Sequence, residues 1–328
     1  MKAIVQDRYG SSDVLRFQDV EPPVPGDDEV LVRVHAAAVN AYDWHVMRGD
    51  PYVARLMAGD VFGRRAPRMP IRGRDFAGRV EAIGARVTRF RPGDEVFGAA
   101  PGTFAEYVAV AADDIEPKPA NLQFEQAAAL PMAGATALMG LRDEGGVRPG
   151  HRVLVNGASG GVGTFAVQLA NAYGAHVTGV CSGRNVDLVR RLGAHDVIDY
   201  QRADFTLGDG GHDVLLDLVG NRSLGDLRRA VAPTGVLVLA GGGAFTGGSL
   251  VGPVGLIIRA KLTAPFLRQR VRTVTAEVGQ AQLATLREFA ESGKIMPVID
   301  RTFALSEAAQ AIQYVETGRA RGKVVVTP

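Results

Sequence analysis

A glycine-rich turn between an apolar strand and an apolar helix constrains this chain more than any other feature. The segment RVLVNGASGGVGTFAVQLA places Gly157, Gly160 and Gly163 after a predicted strand over 152–156 and at the start of a predicted helix over 163–173. Glycine permits a tight turn and lets backbone N–H groups approach a pyrophosphate, while the start of the helix adds a favourable dipole. A glycine triplet alone is a weak motif, but this context favours a dinucleotide-binding turn over a structural one.

The chain follows one pattern before residue 123 and another after it. Short predicted strands come first, over 3–6, 29–39, 76–83 and 104–110, with a turn into a strand at 91–96. The later predicted strands cover 152–156, 176–181, 196–199, 214–218, 235–240, 297–303 and 323–326. The predicted helices cover 124–141, with an interruption at Pro131, and 163–173, 186–192, 223–231, 281–292 and 306–317. The first pattern is typical of a small barrel, and the alternation is typical of a doubly wound parallel sheet.

The length of 328 residues exceeds what one ordinary core holds, so we expect two domains. We assign residues 1–123 to the first part of a β-rich domain and residues 124–270 to a nucleotide-binding domain. We expect residues 271–328 to complete the edge of the parallel sheet and to return to the β-rich domain.

Composition excludes several classes of function. Apolar residues make up 46% of the chain, charged residues 22%, and the formal net charge is +2, which is the balance of a soluble globular protein. Prolines break a cluster of five arginines, which favours a solvated or substrate-facing loop over a nucleic-acid site. The cluster consists of Arg64, Arg65, Arg68, Arg72 and Arg74.

No uninterrupted stretch of about 18 apolar residues occurs, so we expect no membrane span. The first residues show neither a secretory nor a transit pattern. The single cysteine, Cys181, excludes internal disulfides, and we therefore expect a cytoplasmic protein.

The end of the second strand of the nucleotide-binding domain indicates which dinucleotide is bound. An NAD site usually places a carboxylate there for the ribose 2′-OH, but this chain reads Cys181, Ser182, Gly183, Arg184, Asn185. The Ser182 hydroxyl and the Arg184 guanidinium suit a phosphate, and Tyr200 follows the next strand. These residues favour NADPH, although Arg184 also fits a solvated loop residue.

The strings GASGGVG, LVRRLGAHDVIDY and RPGDEVFG resemble the medium-chain dehydrogenase/reductase superfamily in its quinone oxidoreductase branch. VHAAAVNAYDWHVMRG and GRARGKVVV extend the resemblance over nearly the whole chain, which looks most like the reticulon-interacting, NADPH-dependent group and its bacterial relatives. The resemblance implies an α/β chain in which a GroES-like catalytic domain, formed by both chain ends, encloses a Rossmann domain. It also implies a cofactor between the two domains.

The resemblance also implies positions for the cofactor. Those expected at the pyrophosphate are Gly160, Gly161, Val162 and Gly163, and those near the 2′-phosphate are Ser182 and Tyr200. Those expected along the ribose and the nicotinamide are Thr136, Val219 and Ala240. The segment expected to close over the cofactor is Arg319, Ala320 and Arg321.

The resemblance argues against a metal. Zinc-dependent members place a cysteine near the position of Asn40 and a histidine in the string that reads Gly73-Arg74-Asp75 here. One cysteine cannot build the four-cysteine structural site, and the six histidines show no paired ligand spacing. Chemistry without a Lewis acid favours quinones or α,β-unsaturated carbonyls over simple alcohols.

The reacting oxygen of such an acceptor needs a hydrogen-bond or proton donor. Asn40 resembles the family's active-site asparagine and is expected to orient the acceptor. Many relatives carry a tyrosine five residues later, where this chain has His45, so Tyr42 and His45 are both candidate donors. His45 also fits a structural role beside Trp44 on a helix, and Asp43 is expected to cap that helix or to pair, for example with Arg48.

Two further segments are expected to border the substrate. The loop 54–72, with Met57, Phe62 and Met69 among arginines, suggests an apolar pocket with a cationic rim. Residues 241–267 form another wall or the contact of a homodimer. The leading function is NADPH-dependent reduction of quinones or enones; the alternatives are reduction of an enoyl thioester and an NADPH-responsive binding protein with little turnover.

Overall fold

The computed structural model describes residues 1–53, 55, 59, 61–208, 210–241, 254–263, 268–275 and 277–328. Its strands are β1 (Lys2–Gln6), β2 (Leu15–Asp19), β3 (Glu29–Val39), β4 (Asp75–Ile83), β5 (Glu95–Ala99), β6 (Tyr107–Ala111), β7 (Ile115–Pro117), β8 (Arg152–Asn156), β9 (His176–Cys181), β10 (Asp196–Asp199), β11 (His212–Asp217), β12 (Val231–Leu239), β13 (Arg270–Thr273), β14 (Ile299–Ala304) and β15 (Lys323–Thr327). Its α-helices are α1 (Ala41–Arg48), α2 (Phe124–Ala128), α3 (Pro131–Leu138), α4 (Gly161–Ala172), α5 (Val186–Arg191), α6 (Leu224–Arg229), α7 (Val254–Thr263), α8 (Gln280–Glu291) and α9 (Ala308–Glu316).

The described residues form two compact units. The two ends of the chain, up to residue 135 and from residue 277 onward, form the first unit. The described residues between them form the second. Both chain ends therefore contribute to one β-rich unit, and the alternating elements form the other.

The first unit is built around strand β3. Its sheet has the order β14-β15-β3-β4-β5-β7, with β6 also paired to β3, while β1 and β2 form a separate antiparallel pair. Val30, Val32 and Val34 of β3 are buried at alternate positions, as expected for a strand with one face in the core. Strand β15 pairs antiparallel with β3, with Val324 opposite Val39. This register brings the residues that flank these two strand positions, Lys323 and Asn40, side by side.

The second unit is a six-stranded parallel sheet with the order β10-β9-β8-β11-β12-β13. Strands β8, β9 and β11 have buried, apolar centres, including Leu154, Val180 and Leu215. The strand order reverses between β8 and β11, and ligands of such sheets bind at the carboxyl ends of the strands beside that reversal. The predicted doubly wound parallel sheet is confirmed.

Several predicted elements differ from the observed ones. The strand predicted over 104–110 begins only at Tyr107, because Phe104–Glu106 cross over to β1 through a single bridge between Ala3 and Ala105. The helix predicted over 124–141 is divided into α2, α3 and a π-helical turn, Met139–Glu144. Strands β2, β7 and β13 were not predicted, because β2 is mostly exposed, β7 has three residues and β13 reads RVRT. These short strands lack the apolar alternation that marks a strand in sequence.

Among the described helices, none combines the length and the apolar character needed to cross a membrane.

Candidate active site

The glycine turn has the local structure that its sequence predicts. Strand β8 ends at Asn156, Gly157 takes a φ of 89°, and Gly160 precedes the first turn of α4. A side chain at Gly163 would collide with the carbonyl oxygen of Gly157, so this position of the helix requires glycine. The amides of Gly157 and Ala158 both donate to the Val180 carbonyl, at 3.1 and 3.0 Å, which fixes the turn beside β9.

The start of α4 presents backbone donors. Its first bond to a preceding carbonyl is that from Thr164 N–H to Gly160, at 3.0 Å. The amides of Gly161, Val162 and Gly163 come before that bond, and amides at this place in a helix have no partner within it. An anion at this end also gains from the helix dipole. The turn therefore fits a pyrophosphate.

Two polar residues that were not predicted organise the neighbouring strand ends. Asn156, at the end of β8, donates through Nδ2 to Asp217 Oδ1 at 2.8 Å, and Asp217 ends β11. The same carboxylate oxygen accepts from Val219 N–H at 3.2 Å, and Asp217 O accepts from Ala240 N–H at 3.0 Å. A Cβ at Gly157 would lie 2.8 Å from the Val219 side chain. The structure thus connects Gly157, Val219 and Ala240 through Asn156 and Asp217. A polar residue at the end of an apolar strand is the sequence signal that could have identified these two residues.

Ser182 and Tyr200 lie on neighbouring strand ends. Cys181 of β9 pairs with Asp199 of β10, and Tyr200 N–H donates to Cys181 O at 3.1 Å. Ser182 and Arg184 occupy the turn that follows β9, and Arg184 is exposed. The three residues predicted for the 2′-phosphate therefore occupy one rim of the sheet.

That rim also holds a carboxylate that the sequence analysis missed. A Cβ at Gly183 would lie 2.7 Å from Asp199 Oδ2, so the Asp199 side chain faces the turn that carries Ser182 and Arg184. The Arg202 guanidinium lies 3.8 Å from the same carboxylate. Asp199 ends β10, the edge strand of this sheet and its third strand in chain order, whereas the prediction considered only the end of the second strand in the chain.

Asn185 links this rim to the glycine turn. Its Nδ2 donates to Ser159 Oγ at 2.9 Å, and the residue is 4% exposed. Its Oδ1 is buried without a hydrogen-bond partner among the described residues. An unsatisfied buried acceptor between the turn and the rim fits a site completed by a ligand that can donate, such as a ribose hydroxyl.

The remaining predicted cofactor residues lie elsewhere in the chain. Thr136 is buried in α3, with 8% exposure. Arg319, Ala320 and Arg321 form the connection between α9 and β15, where Arg321 N–H donates to Asp300 Oδ2 at 3.1 Å. These three residues belong to the first unit, whereas the glycine turn belongs to the second.

A buried ion cluster of Asn40, Asp43, Asp75 and Lys323 lies in the first unit. Lys323 Nζ donates to Asn40 Oδ1 and lies 3.7 Å from Asp75 Oδ2, and Asn40 Nδ2 donates to Asp75 Oδ2 at 3.0 Å. Burial raises the pKa of Asp75, which the charge of Lys323 opposes, and burial lowers the pKa of Lys323, which Asp75 opposes. The two Nδ2 hydrogens of Asn40 point to Asp75 and to the Ala38 carbonyl.

Asp43 caps helix α1, as expected. Its Oδ2 accepts from Asn40 N–H at 2.8 Å. Burial raises its pKa to about 6, against the lowering effect of the Arg72 charge. The suggested pairing of Asp43 with Arg48 is wrong, because Arg48 reaches Glu316 instead, with Nη2 and Oε2 at 3.0 Å. Helix α1 directs Arg48, at its last position, away from its first turn.

Tyr42 borders a cavity of about 180 Å³ within the first unit. The cavity is lined by Tyr42, Val61, Met69, Ile71, Arg72, Gly73, Arg74, Pro101 and Gly102, and we call it the arginine cavity. The Arg74 guanidinium lies 5.7 Å from the centre of the Tyr42 ring. Met69 belongs to this lining as expected, Phe62 is buried, and Met57 lies outside the described residues.

Two family models match the chain: the alcohol dehydrogenase GroES-like domain over residues 26–120 and the zinc-binding dehydrogenase model over residues 192–326. The mitochondrial NAD(P)H oxidoreductase RTN4IP1 of Bos taurus is 36% identical, with 99% of this chain and 89% of that protein covered. The 2-methylene-furan-3-one reductase of Solanum lycopersicum is 35% identical, with coverages of 100% and 79%. The structure of the quinone oxidoreductase from Coxiella burnetii matches with a TM-score of 0.86 and 32% identity, with coverages of 100% and 99%.

The chain belongs to the quinone oxidoreductase branch of the medium-chain dehydrogenase/reductase superfamily. It is an oxidoreductase, and its two units correspond to the GroES-like and Rossmann domains that the resemblance implied.

At the positions where the resemblance places zinc ligands in other members of the superfamily, this chain has Asn40 and the string Gly73-Arg74-Asp75. Asn40 and Asp75 are engaged with Lys323, and Arg74 contacts the Tyr42 ring. The segment matched by the zinc-binding model contains two histidines, His195 and His212, and no cysteine. Over the described part of the chain, no group of three or more His, Cys, Asp or Glu side chains is arranged to hold a metal ion.

His45 packs against Trp44, which is the structural role that the sequence allowed as an alternative to a donor role. The two rings stack with centroids 3.6 Å apart, and His45 Nδ1 lies 3.0 Å from the Asp50 carbonyl oxygen. Because a carbonyl only accepts, Nδ1 carries the proton of this hydrogen bond. Burial lowers the pKa of His45, which favours the neutral ring, and the Nε2 of that neutral ring is an acceptor. This arrangement leaves the ring of His45 without an N–H to offer at Nε2.

Proposed function

We propose that this oxidoreductase uses NADPH to reduce quinones and α,β-unsaturated carbonyl compounds without a metal ion. The observation that carries the proposal is the buried ion cluster: the positions of zinc ligands are filled by Asn40 and by a Gly73-Arg74-Asp75 string whose carboxylate pairs with Lys323. Without a Lewis acid at these positions, the negative charge of an alkoxide would not be stabilised by a metal. Acceptors that delocalise the developing charge by conjugation are therefore favoured. The names of the relatives, a quinone oxidoreductase and a reductase of a methylene ketone, agree with this choice.

NADPH, when bound, supplies the hydride. In this proposal Gly157, Gly160, Gly161, Val162 and Gly163 contact the pyrophosphate, and Ser182, Arg184 and Tyr200 contact the 2′-phosphate. The residues proposed beside the ribose and the nicotinamide are Thr136, Val219, Ala240, Arg319, Ala320 and Arg321. Asp199 places a negative charge beside Gly183, so we expect NADPH to be preferred over NADH but NADH to be used as well.

Tyr42 is proposed to donate the proton to the acceptor. Its side chain lines the arginine cavity, where we place the substrate oxygen. Asn40 is proposed as a positioning residue, because its side-chain amide is hydrogen-bonded to Lys323 and Asp75. His45 remains a second candidate for the proton donor, and the kinetic experiment described next compares the two residues.

The experiment measures NADPH oxidation by the purified, chelator-treated protein with a naphthoquinone, with an enone, and with ethanol and NADP⁺ in the reverse direction. We expect turnover with the first two and none with ethanol. Tyr42→Phe should lower kcat for the enone by about a hundredfold, since proton transfer contributes on the order of 10²–10⁴ in rate. The control Tyr52→Phe changes an exposed tyrosine outside the cavity and should leave kcat unchanged.

Dependence of turnover on added zinc, or oxidation of ethanol alone, would overturn this function. An equal loss of kcat in His45→Gln and none in Tyr42→Phe would transfer the donor role to His45. The cytoplasmic location and the homodimer stay predictions; the dimer region includes residues 242–253 and 264–267, which lie outside the described residues.

A further inference from the structure

The arginine cavity has a volume suited to a single six-membered ring. Its volume of about 180 Å³ compares with the roughly 150 Å³ of an apolar cavity that holds benzene. Val61, Met69 and Ile71 supply apolar surface, whereas Arg72 and Arg74 supply positive charge. A cavity that is only a packing defect does not usually combine an apolar wall with two cationic side chains.

Arg72 is a buried cation that lines the arginine cavity. It is 4% exposed, its Nε has no hydrogen-bond partner, and among the described residues its guanidinium forms no ion pair. The carboxylate of Asp43 is the largest favourable charge acting on Arg72, and burial opposes the charged guanidinium by lowering its pKa. Because a buried charge is costly where it lacks hydrogen bonds, an anion in the cavity would stabilise the Arg72 guanidinium further.

Arg74 adds a second cation to the same cavity. Its Nε is buried and has no hydrogen-bond partner within the described part of the chain, and its guanidinium lies beside the Tyr42 ring. The nearest carboxylate in sequence, Asp75, is already engaged by Lys323, Asn40 and the Met132 amide. The described residues of the chain thus leave both arginines available to an anion.

We propose that the arginine cavity binds the carboxylate of a single-ring hydride acceptor, and that the preferred acceptors are therefore anionic quinones or enones. The proposal rests on the proposed reductase function and names its class of substrate. Two guanidiniums suit a carboxylate because their planar N–H groups match its two oxygens. A neutral ring in the same cavity is the alternative that the test distinguishes.

The test compares trans-benzoylacrylate with its methyl ester as acceptors. In each, the carbon–carbon double bond takes a hydride from NADPH and a proton, giving NADP⁺ and benzoylpropanoate from the acid or methyl benzoylpropanoate from the ester. The ester is the more electrophilic of the two, so chemical reactivity alone favours it. We expect kcat/KM for the carboxylate to exceed that for the ester by about tenfold or more, because a charged hydrogen bond discriminates by that order.

Variants assign the preference to the cavity. Arg72→Gln and, as a half-buried second site, Arg74→Gln should each reduce the carboxylate-to-ester ratio toward one. Arg64→Gln, at an exposed position of the same loop, should leave the ratio unchanged. Benzoate should compete with the acceptor in the wild-type protein, and the neutral isostere benzamide should not.

An ester preference in the wild type, or equal competition by benzamide and benzoate, would overturn the anion site while leaving the reductase function intact. Failure of both acceptors and of every quinone would instead count against the reductase function. In that case calorimetric titration with benzoate still decides the cavity, because the proposal requires binding that Arg72→Gln weakens by about tenfold.

Discussion

The glycine turn of the second unit and the buried ion cluster of the first are assembled in opposite ways. The turn draws all its binding groups from a few consecutive residues and presents backbone amides. The cluster draws Asn40, Asp75 and Lys323 from positions 35 and 283 residues apart and relies on side-chain charge. The first is local and neutral; the second depends on the whole fold of its unit.

This difference determines how each region should fail. In the turn, a single added atom can block the backbone, and the main loss is then in the affinity for the ligand that binds the backbone amides. A defect in the cluster leaves a charge buried without its partner and affects the stability of the unit. The variants below separate the two kinds of failure.

The largest effect is expected for the cluster. Lys323→Met leaves the buried Asp75 without its counter-charge and should lower the free energy of unfolding by about 3–5 kcal/mol in urea denaturation. Lys2→Met breaks an exposed pair with Asp19 and should cost no more than about 1 kcal/mol. Equal losses in the two variants would show that the cluster does not carry a buried ion pair.

The buried carboxyl group of Asp43 is expected to make the free energy of unfolding depend on pH. Its pKa is raised from 3.8 to about 6 by burial, so the folded state binds the proton more tightly than the unfolded state. Its contribution therefore becomes less favourable as pH rises from about 4 to about 6, by roughly 3 kcal/mol in total. Urea denaturation at several pH values should show this fall in the wild type and not in Asp43→Asn. Parallel curves for the two proteins would contradict it.

The turn should respond to one added methyl group. Gly163→Ala puts a Cβ against the Gly157 carbonyl and should cost about 1–3 kcal/mol of stability, together with a large loss of NADPH affinity. At Gly160 a Cβ would lie 3.4 Å from the same oxygen, so Gly160→Ala should be the milder change in unfolding. The reverse order of the two variants would refute the packing argument.

The smallest effect concerns the choice of dinucleotide. Arg184→Glu should weaken NADPH binding by about tenfold, or about 1.4 kcal/mol, and leave NADH binding unchanged in fluorescence titrations. Asp199→Asn should shift the preference further toward NADPH, because it removes a negative charge beside Gly183. Arg190→Glu, at an exposed position of α5, serves as the control for net charge. An unchanged preference in Arg184→Glu would exclude Arg184 from the 2′-phosphate site.

The sequence predicted the second unit well because its signals are local. Apolar runs and glycines mark β8, the turn and α4 within about twenty residues, and the fold class follows from their alternation. The cluster was not predictable in this way: Lys323 appeared only as part of a resembling string, and nothing near it in sequence indicates a partner at Asn40 or Asp75. Asp199 was missed for a related reason, because only strand pairing places it beside the turn after β9.

The central claim is that hydride passes from NADPH to a conjugated acceptor without a metal. The most direct measurement follows deuterium from labelled NADPH into the product of an enone, with the protein freed of metals by a chelator. We expect one deuterium at the β-carbon of the saturated ketone, at the same rate as before the chelator treatment. Product without deuterium, or a reaction restored only by zinc, would contradict it.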